Sequence, residues 1–260
     1  MWELSGITSH GGLFFLLFMR SLGVFFLAPA FGGRYMPVQV RAGLALGLTA
    51  FALPAVVASG AGVPSGLVSF ALGCLGEFAT GATLGFMANL IFVSLQVAGQ
   101  LIDMEMGFGI VSALDLERGG QAPVMGTFLH LLALVLFLEM GGHHSVLGGY
   151  WESLRLIPAG TFAFGKGIGD LAVATFGGMF LVALKMSLPV GAALFLATLG
   201  LGVIARTVPQ INVFIVGLPL KVLMGSVMMW LALPLYVRLA GRLVEDLPVF
   251  LMRVLAAWKG

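Results

Sequence analysis

Two apolar runs in this chain are too long for a single crossing of a bilayer. Residues 67–103 and 168–205 are almost free of charge. A helix over the 37 residues of the first would reach roughly 55 Å against a hydrocarbon core of about 30 Å. Each run is therefore either two crossings without a loop or one helix that leaves the membrane. Further apolar runs lie at 13–31, 40–58, 123–140 and 211–236, which makes about six apolar segments. With 60% hydrophobic and 9% charged residues in 260, the chain is far from the balance of a soluble domain. The pattern predicts an all-α membrane protein built from long helices.

Charge does not settle the topology. Basic residues gather at Arg34 and Arg41 and in a tail holding Arg238, Arg242, Arg253 and Lys259. If every segment crossed once, five crossings would put these groups on opposite faces, against the positive-inside rule. Doubling one long run repairs the conflict, as would helices that do not sit in lipid like ordinary spans. A net charge of +2 without a basic run excludes nucleic acid as a partner and leaves lipid and protein. The single cysteine, Cys74, has no disulfide mate within the chain and reads as a small buried hydrophobe. Residues 13–30 have the outline of a signal peptide. Glu3 without a leading cation, Arg20 inside the apolar core and the runs that follow predict a retained membrane segment instead.

Polar residues inside the runs are the next constraint. Gly73, Glu77, Gly81, Gly85 and Asn89 recur every four residues and so share one helical face, with Gln96, Gln100 and Asp103 extending the polar content. Small residues admit a second backbone, and buried amides and carboxyls seek partners across such a contact, so the stripe predicts a helix–helix interface. A wet conduit is the alternative. Arg20, Glu77, Lys185 and Glu139 also lie within apolar runs. Each would cost about 2.5–3.5 kcal/mol facing lipid at a helix centre, so each must be paired or wet, and burial against other subunits would serve.

Enzymatic readings find little support, and no cofactor or metal is implied. Residues 160–167, GTFAFGKG, fall one residue short of a phosphate-binding loop: Gly167 stands where a Ser or Thr should hold magnesium, and no strand precedes it. Residues 167–170, GIGD, match an element of intramembrane aspartyl proteases, which need a second aspartate. Asp103 and Asp115 are the nearby acids of that type and sit around a polar loop, so Asp170 reads as a first-turn acid. Glu139, His143, His144 and His130 approximate a metal site, but Gly141 and Gly142 break the helix between them and favour a turn. No GxSxG elbow is present. The chain is expected not to be an enzyme.

The connector at 104–126, MEMGFGIVSALDLERGGQAPVMG, mixes glycine, methionine, phenylalanine and acids between two long apolar runs. Connectors of this length are functional or disordered. Met and Phe in a conduit could seal against ions yet deform for a large passenger; a solvated surface loop is the other reading.

Three motifs carry a resemblance: AGQLIDMEMGFGI at 98–110, GGHHSVLGGYWESLRLIPAG at 141–160, and VPQINVFIVGLPLK at 208–221. In order and spacing they resemble the FliR family of type III export-gate proteins, over essentially the whole chain. The resemblance implies a non-enzymatic subunit, present as one copy with FliP-like and FliQ-like subunits and near an FlhB-like one, in the bacterial inner membrane at the flagellar basal body. Unfolded export substrates would pass through that assembly. It implies long, bent helical hairpins packed within a hetero-oligomeric gate, with 1–165 as a FliP-like portion and 166–260 as a FliQ-like hairpin and tail. The family's plug loop falls on about 104–123, with Met104, Met106, Gly107, Phe108 and Gly109 as the closing residues. The chain departs from the family at LDLERGG, where relatives often carry Asp-Pro. At the last hairpin, Pro209 would end one arm, Asn212 would satisfy backbone groups at the turn, and Pro219 would bend the return arm. Arg206 and Lys221 would flank that turn against neighbouring subunits or water. A virulence-type secretion homologue is the near alternative. A secondary transporter with broken helices is the distant one, but it predicts an internal repeat that the halves do not show.

Overall fold

The computed structural model describes residues 2–32, 36–108, 123–160, 167–208, 210 and 212–259. Among these residues the chain is helical without strands: α1 (Trp2–Leu27), α2 (Val38–Ala58), α3 (Leu67–Met106), α4 (Val124–Glu139), α5 (Gly142–Leu156), α6 (Gly167–Thr207), α7 (Val213–Glu245) and α8 (Leu247–Lys259). The phosphate-loop reading of 160–167, most of the plug loop, Arg34, Gly109, Asp115 and Pro209 fall wholly or mainly outside the described residues.

The two over-long runs are each one helix. α3 has 40 residues and α6 has 41, about 60 Å each at 1.5 Å per residue. α3 contains no proline, so nothing interrupts its hydrogen-bond ladder. It stops where Gly107 takes φ +88°, a left-handed value that glycine adopts without steric cost. α6 passes through Pro189, and α7 through Pro219 and Pro234, without ending. By length and composition α1, α2, α3, α6 and α7 can cross a membrane. α4 and α5 together could supply a sixth crossing, bent by 70° where Gly141 takes φ +69°. The chain is an all-α membrane protein.

Two compact units cut across the order of the sequence. The first combines Met1–Leu90, Phe137–Thr175 and Val244–Gly260. Within it, Leu13 and Leu17 of α1 pack with Val56 of α2 and Ala159 beyond α5, and Gly149 of α5 lets Leu251 of α8 come close. The second combines Ile91–Leu136 with Phe176–Leu243. There, Gly99 of α3 meets the backbone of α4 at Met125 and Gly126 so closely that a side chain at 99 would overlap it. Burial is uneven: in an apolar 18-residue window of α3, 56% of the residues are buried within the chain, against only 17% in the windows of α6 and of α7. α6 and α7 leave most of their apolar surface for lipid or other chains.

Candidate functional site

The glycine stripe of α3 faces α1. A methyl group on Gly81 would overlap the Arg20 carbonyl, one on Gly85 would lie 2.7 Å from the Val24 carbonyl oxygen, and one on Gly23 would strike the Phe78 carbonyl. A methyl group on Gly73, about two turns before Gly81, would lie 3.4 Å from the Leu16 side chain. Asn89 is half-buried, beyond this crossing. The backbones approach at these positions because no side chain stands between them.

Close approach places Arg20 against Glu77. Both side chains are buried, at 0% and 1% exposure, and the pair is bidentate: Nε donates to Oε2 at 2.5 Å and Nη2 to Oε1 at 3.0 Å. The remaining capacity is spent on the end of α5 and the turn after it. Arg20 Nη2 donates to the Ile157 carbonyl at 3.0 Å and Nη1 to Ser153 Oγ at 3.3 Å, while Glu77 Oε1 accepts the Gly160 N–H at 2.9 Å. Beside them Ser21 Oγ donates to the Tyr150 hydroxyl at 2.9 Å. The arginine and glutamate for which the sequence offered neighbouring subunits or water therefore satisfy each other and a loop of their own chain. A planar guanidinium suits this because one group serves a carboxylate, a carbonyl and a hydroxyl together.

At the other end of α3 the structure corrects the sequence reading. Asp103 does not sit around a polar loop: it lies in α3, 5% exposed, and caps α4. Both its oxygens accept the Met125 N–H at 3.0 Å, and Oδ2 also accepts the Gly126 N–H at 3.0 Å. The first N–H groups of a helix lack partners within it, and an acid there also meets the positive end of the helix dipole. Of the proposed closing residues, Met104 is 71% exposed whereas Met106 is fully buried. Met106 lies where any side chain at Gly225 of α7 would stand, within 2.8 Å. Gly107 lies against Leu218, and Phe108 is half-buried.

The remaining residues lie on α6 and α7. Lys185 is exposed midway along α6, and Arg206 is exposed in its last turn. Asn212 heads α7, its Oδ1 accepting the Ile215 N–H at 3.4 Å and its carbonyl the N–H groups of Ile215 and Val216. Pro219 is exposed within α7 and Lys221 is half-buried. The His143 and His144 rings lie 4.1 Å apart at the α4–α5 break, but no cluster of three metal-ligating side chains occurs among the described residues. Asp170 is in the first turn of α6.

Sequence reasoning missed Asp103 as a cap, Ser153 and Tyr150 as partners of α1, and Gly225 as the seat of Met106.

The model of bacterial export proteins, family 1, matches residues 12–247. The chain is 36% identical over 255 residues to the flagellar biosynthetic protein FliR of Bacillus subtilis (strain 168), covering 95% of each. It is 28% identical over 237 residues to FliR of Escherichia coli (strain K12), covering 90% of this chain and 89% of that one. It is also 27% identical over 217 residues to the Yop proteins translocation protein T of Yersinia pestis, covering 82% and 83%. The matched span takes in the Arg20–Glu77 pair, the capped α3–α4 junction and all of α6 and α7, and the chain belongs to the bacterial export proteins, family 1, the family of the FliR proteins.

Proposed function

We propose that this chain is a subunit of a flagellar type III protein export gate in the bacterial inner membrane. It would assemble as one copy with FliP-like and FliQ-like subunits, beside an FlhB-like one, to pass unfolded flagellar proteins out of the cytoplasm. The observation that carries the reading is the match to a FliR protein over 95% of both chains. The exposed apolar surface of α6 and α7 supports it, since a subunit needs surface left for its neighbours. Residues 1–165 would play the FliP-like part and 166–260 the FliQ-like part. Met104, Gly107 and Phe108, with Gly109 beyond them, would form the closing segment, and Met106 would anchor it. The chain would move proteins without acting as an enzyme.

A virulence-type secretion system is the second reading, supported by the Yersinia relative; the higher identity to the Bacillus protein supports the flagellar reading more strongly. A transporter would need its midplane charges to line a wet cavity, whereas Arg20 and Glu77 spend their hydrogen bonds on each other and on an adjacent turn.

The test is native mass spectrometry of the tagged chain co-expressed with FliP-like and FliQ-like partners, together with restoration of motility to a strain lacking the chain. A mixed complex holding one copy, with motility regained, is the expected outcome. A monomer or homodimer in the presence of well-expressed partners would overturn the reading.

A further inference from the structure

We propose that the outer face of α6 around Lys185 docks a membrane helix of a different polypeptide, one that presents an Asp or Glu opposite Lys185. The proposal rests on reading the chain as a subunit of a larger assembly, and it adds the chemistry of the partner.

Cations dominate α6, α7 and the segment between them. Residues 171–244 contain Lys185, Arg206, Lys221, Arg238 and Arg242 and no acid. The acids of α6 and α7 are Asp170 and Glu245, at the outer ends of those helices. Asp103 is engaged with α4 and Glu77 with Arg20. Lys185 has no ion pair among the described residues.

Its surroundings make that lack costly. Leu181 and Leu188, four positions before and three after Lys185, share its face, and Leu184 adjoins them one turn before Leu188; the three are 52%, 53% and 52% exposed. Ala183, Met186, Val190 and Leu194, on the opposite face, are buried. An ammonium thus stands on an outward apolar ledge. A lysine head can bend only about one helical turn toward water, and the nearest charged residues along α6, Asp170 and Arg206, are 15 and 21 positions away. A helix laid over the leucines would exclude water, and in that low dielectric a facing carboxylate would be strongly bound.

Charge also selects among occupants. A second copy of this chain would bring five more cations and no acid from residues 171–244, and like charges facing each other repel. Acyl chains cover the leucines but leave the ammonium unpaired. An apolar helix with one carboxylate satisfies both parts of the surface.

The experiment places a photo-reactive amino acid at Leu184 or Leu188 of the full chain in bacterial membranes and identifies the cross-linked peptides. The expected product is an apolar segment of another polypeptide with an Asp or Glu within about one turn of the attachment point. Lys185→Glu should lower the yield of that product roughly tenfold or more, and Lys185→Arg should leave it within about twofold. Converting the identified acid to Lys should restore the product to the Lys185→Glu chain. Lys185 is exposed, so these substitutions spare the fold, which circular dichroism checks. Products with lipid alone, with a second copy, or with a helix lacking an acid would overturn the proposal, as would a yield indifferent to Lys185→Glu. Secretion is scored separately: if it persists with lipid-only products, the docking helix is rejected and the export reading stands. A chain that cannot restore secretion rejects the export reading whatever it cross-links to.

Discussion

The carboxylate of Asp103 accepts the backbone N–H groups of Met125 and Gly126, so a residue near the end of α3 caps a helix that starts about 22 positions further along the chain. Both ends of the intervening connector are thereby tied to one place. Asp103→Ala should destabilise the α3–α4 junction by about 2 kcal/mol, combining a lost cap with buried N–H groups left unpaired. Asp103→Asn, which keeps an acceptor oxygen, should cost less than half as much. Hydrogen exchange in detergent reads this locally: protection should fall at the first turn of α4 and stay unchanged in α1 and α2.

The α1–α3 crossing predicts opposite signs for two glycine-to-alanine changes. Gly81→Ala forces a methyl group into the Arg20 carbonyl, a backbone atom with nowhere to go, and should cost about 1–3 kcal/mol. Gly47 in α2 faces open space, so Gly47→Ala should stabilise by about 0.5–1 kcal/mol through helix propensity alone. Thermal unfolding of the two variants in the same detergent should move in opposite directions.

Removing one partner of the buried ion pair should be worse than removing both. Arg20→Met strands the Glu77 carboxylate and should cost about 3–5 kcal/mol, whereas Arg20→Met with Glu77→Leu should recover most of that loss. A double-mutant cycle on unfolding midpoints measures the coupling. Independent, additive losses would show that the pair does not act as a unit.

Met106 and Met104 should separate structure from closure. Gly225→Val puts side-chain atoms where Met106 lies and should lower stability by about 1–3 kcal/mol. Met104→Ala removes an exposed side chain and should leave stability within about 0.5 kcal/mol. If the segment closes a conduit, both variants should raise small-ion leakage in planar bilayers of the assembled complex, Met104→Ala without any loss of stability.

The helices were legible because apolar run length is a local property. The 67–103 run became α3, extended only to the glycine that could take a left-handed turn. The spacing of Gly81 and Gly85 announced a close contact, but nothing in it named Arg20 and Val24 as the backbone they would meet. Arg20 and Glu77 stood out as costly charges, yet they are 57 positions apart, and spacing rules reach only a few turns along one helix. Asp103 was misread because it precedes a glycine-rich connector, where acids commonly face water. Its actual partner is a helix start on the far side of that connector. Lys185 was legible as an anomaly; its outward direction required the buried face of α6.

The Arg20–Glu77 pair also has an electrical consequence. A lone charge at depth is worked on by the membrane potential at about 2.3 kcal/mol per 100 mV. Opposite charges 2.5 Å apart occupy nearly the same depth, so the forces on them almost cancel and only a small dipole remains. The packing of α1 against α3 is therefore nearly blind to voltage: a cell can energise or de-energise its membrane without pulling on this contact.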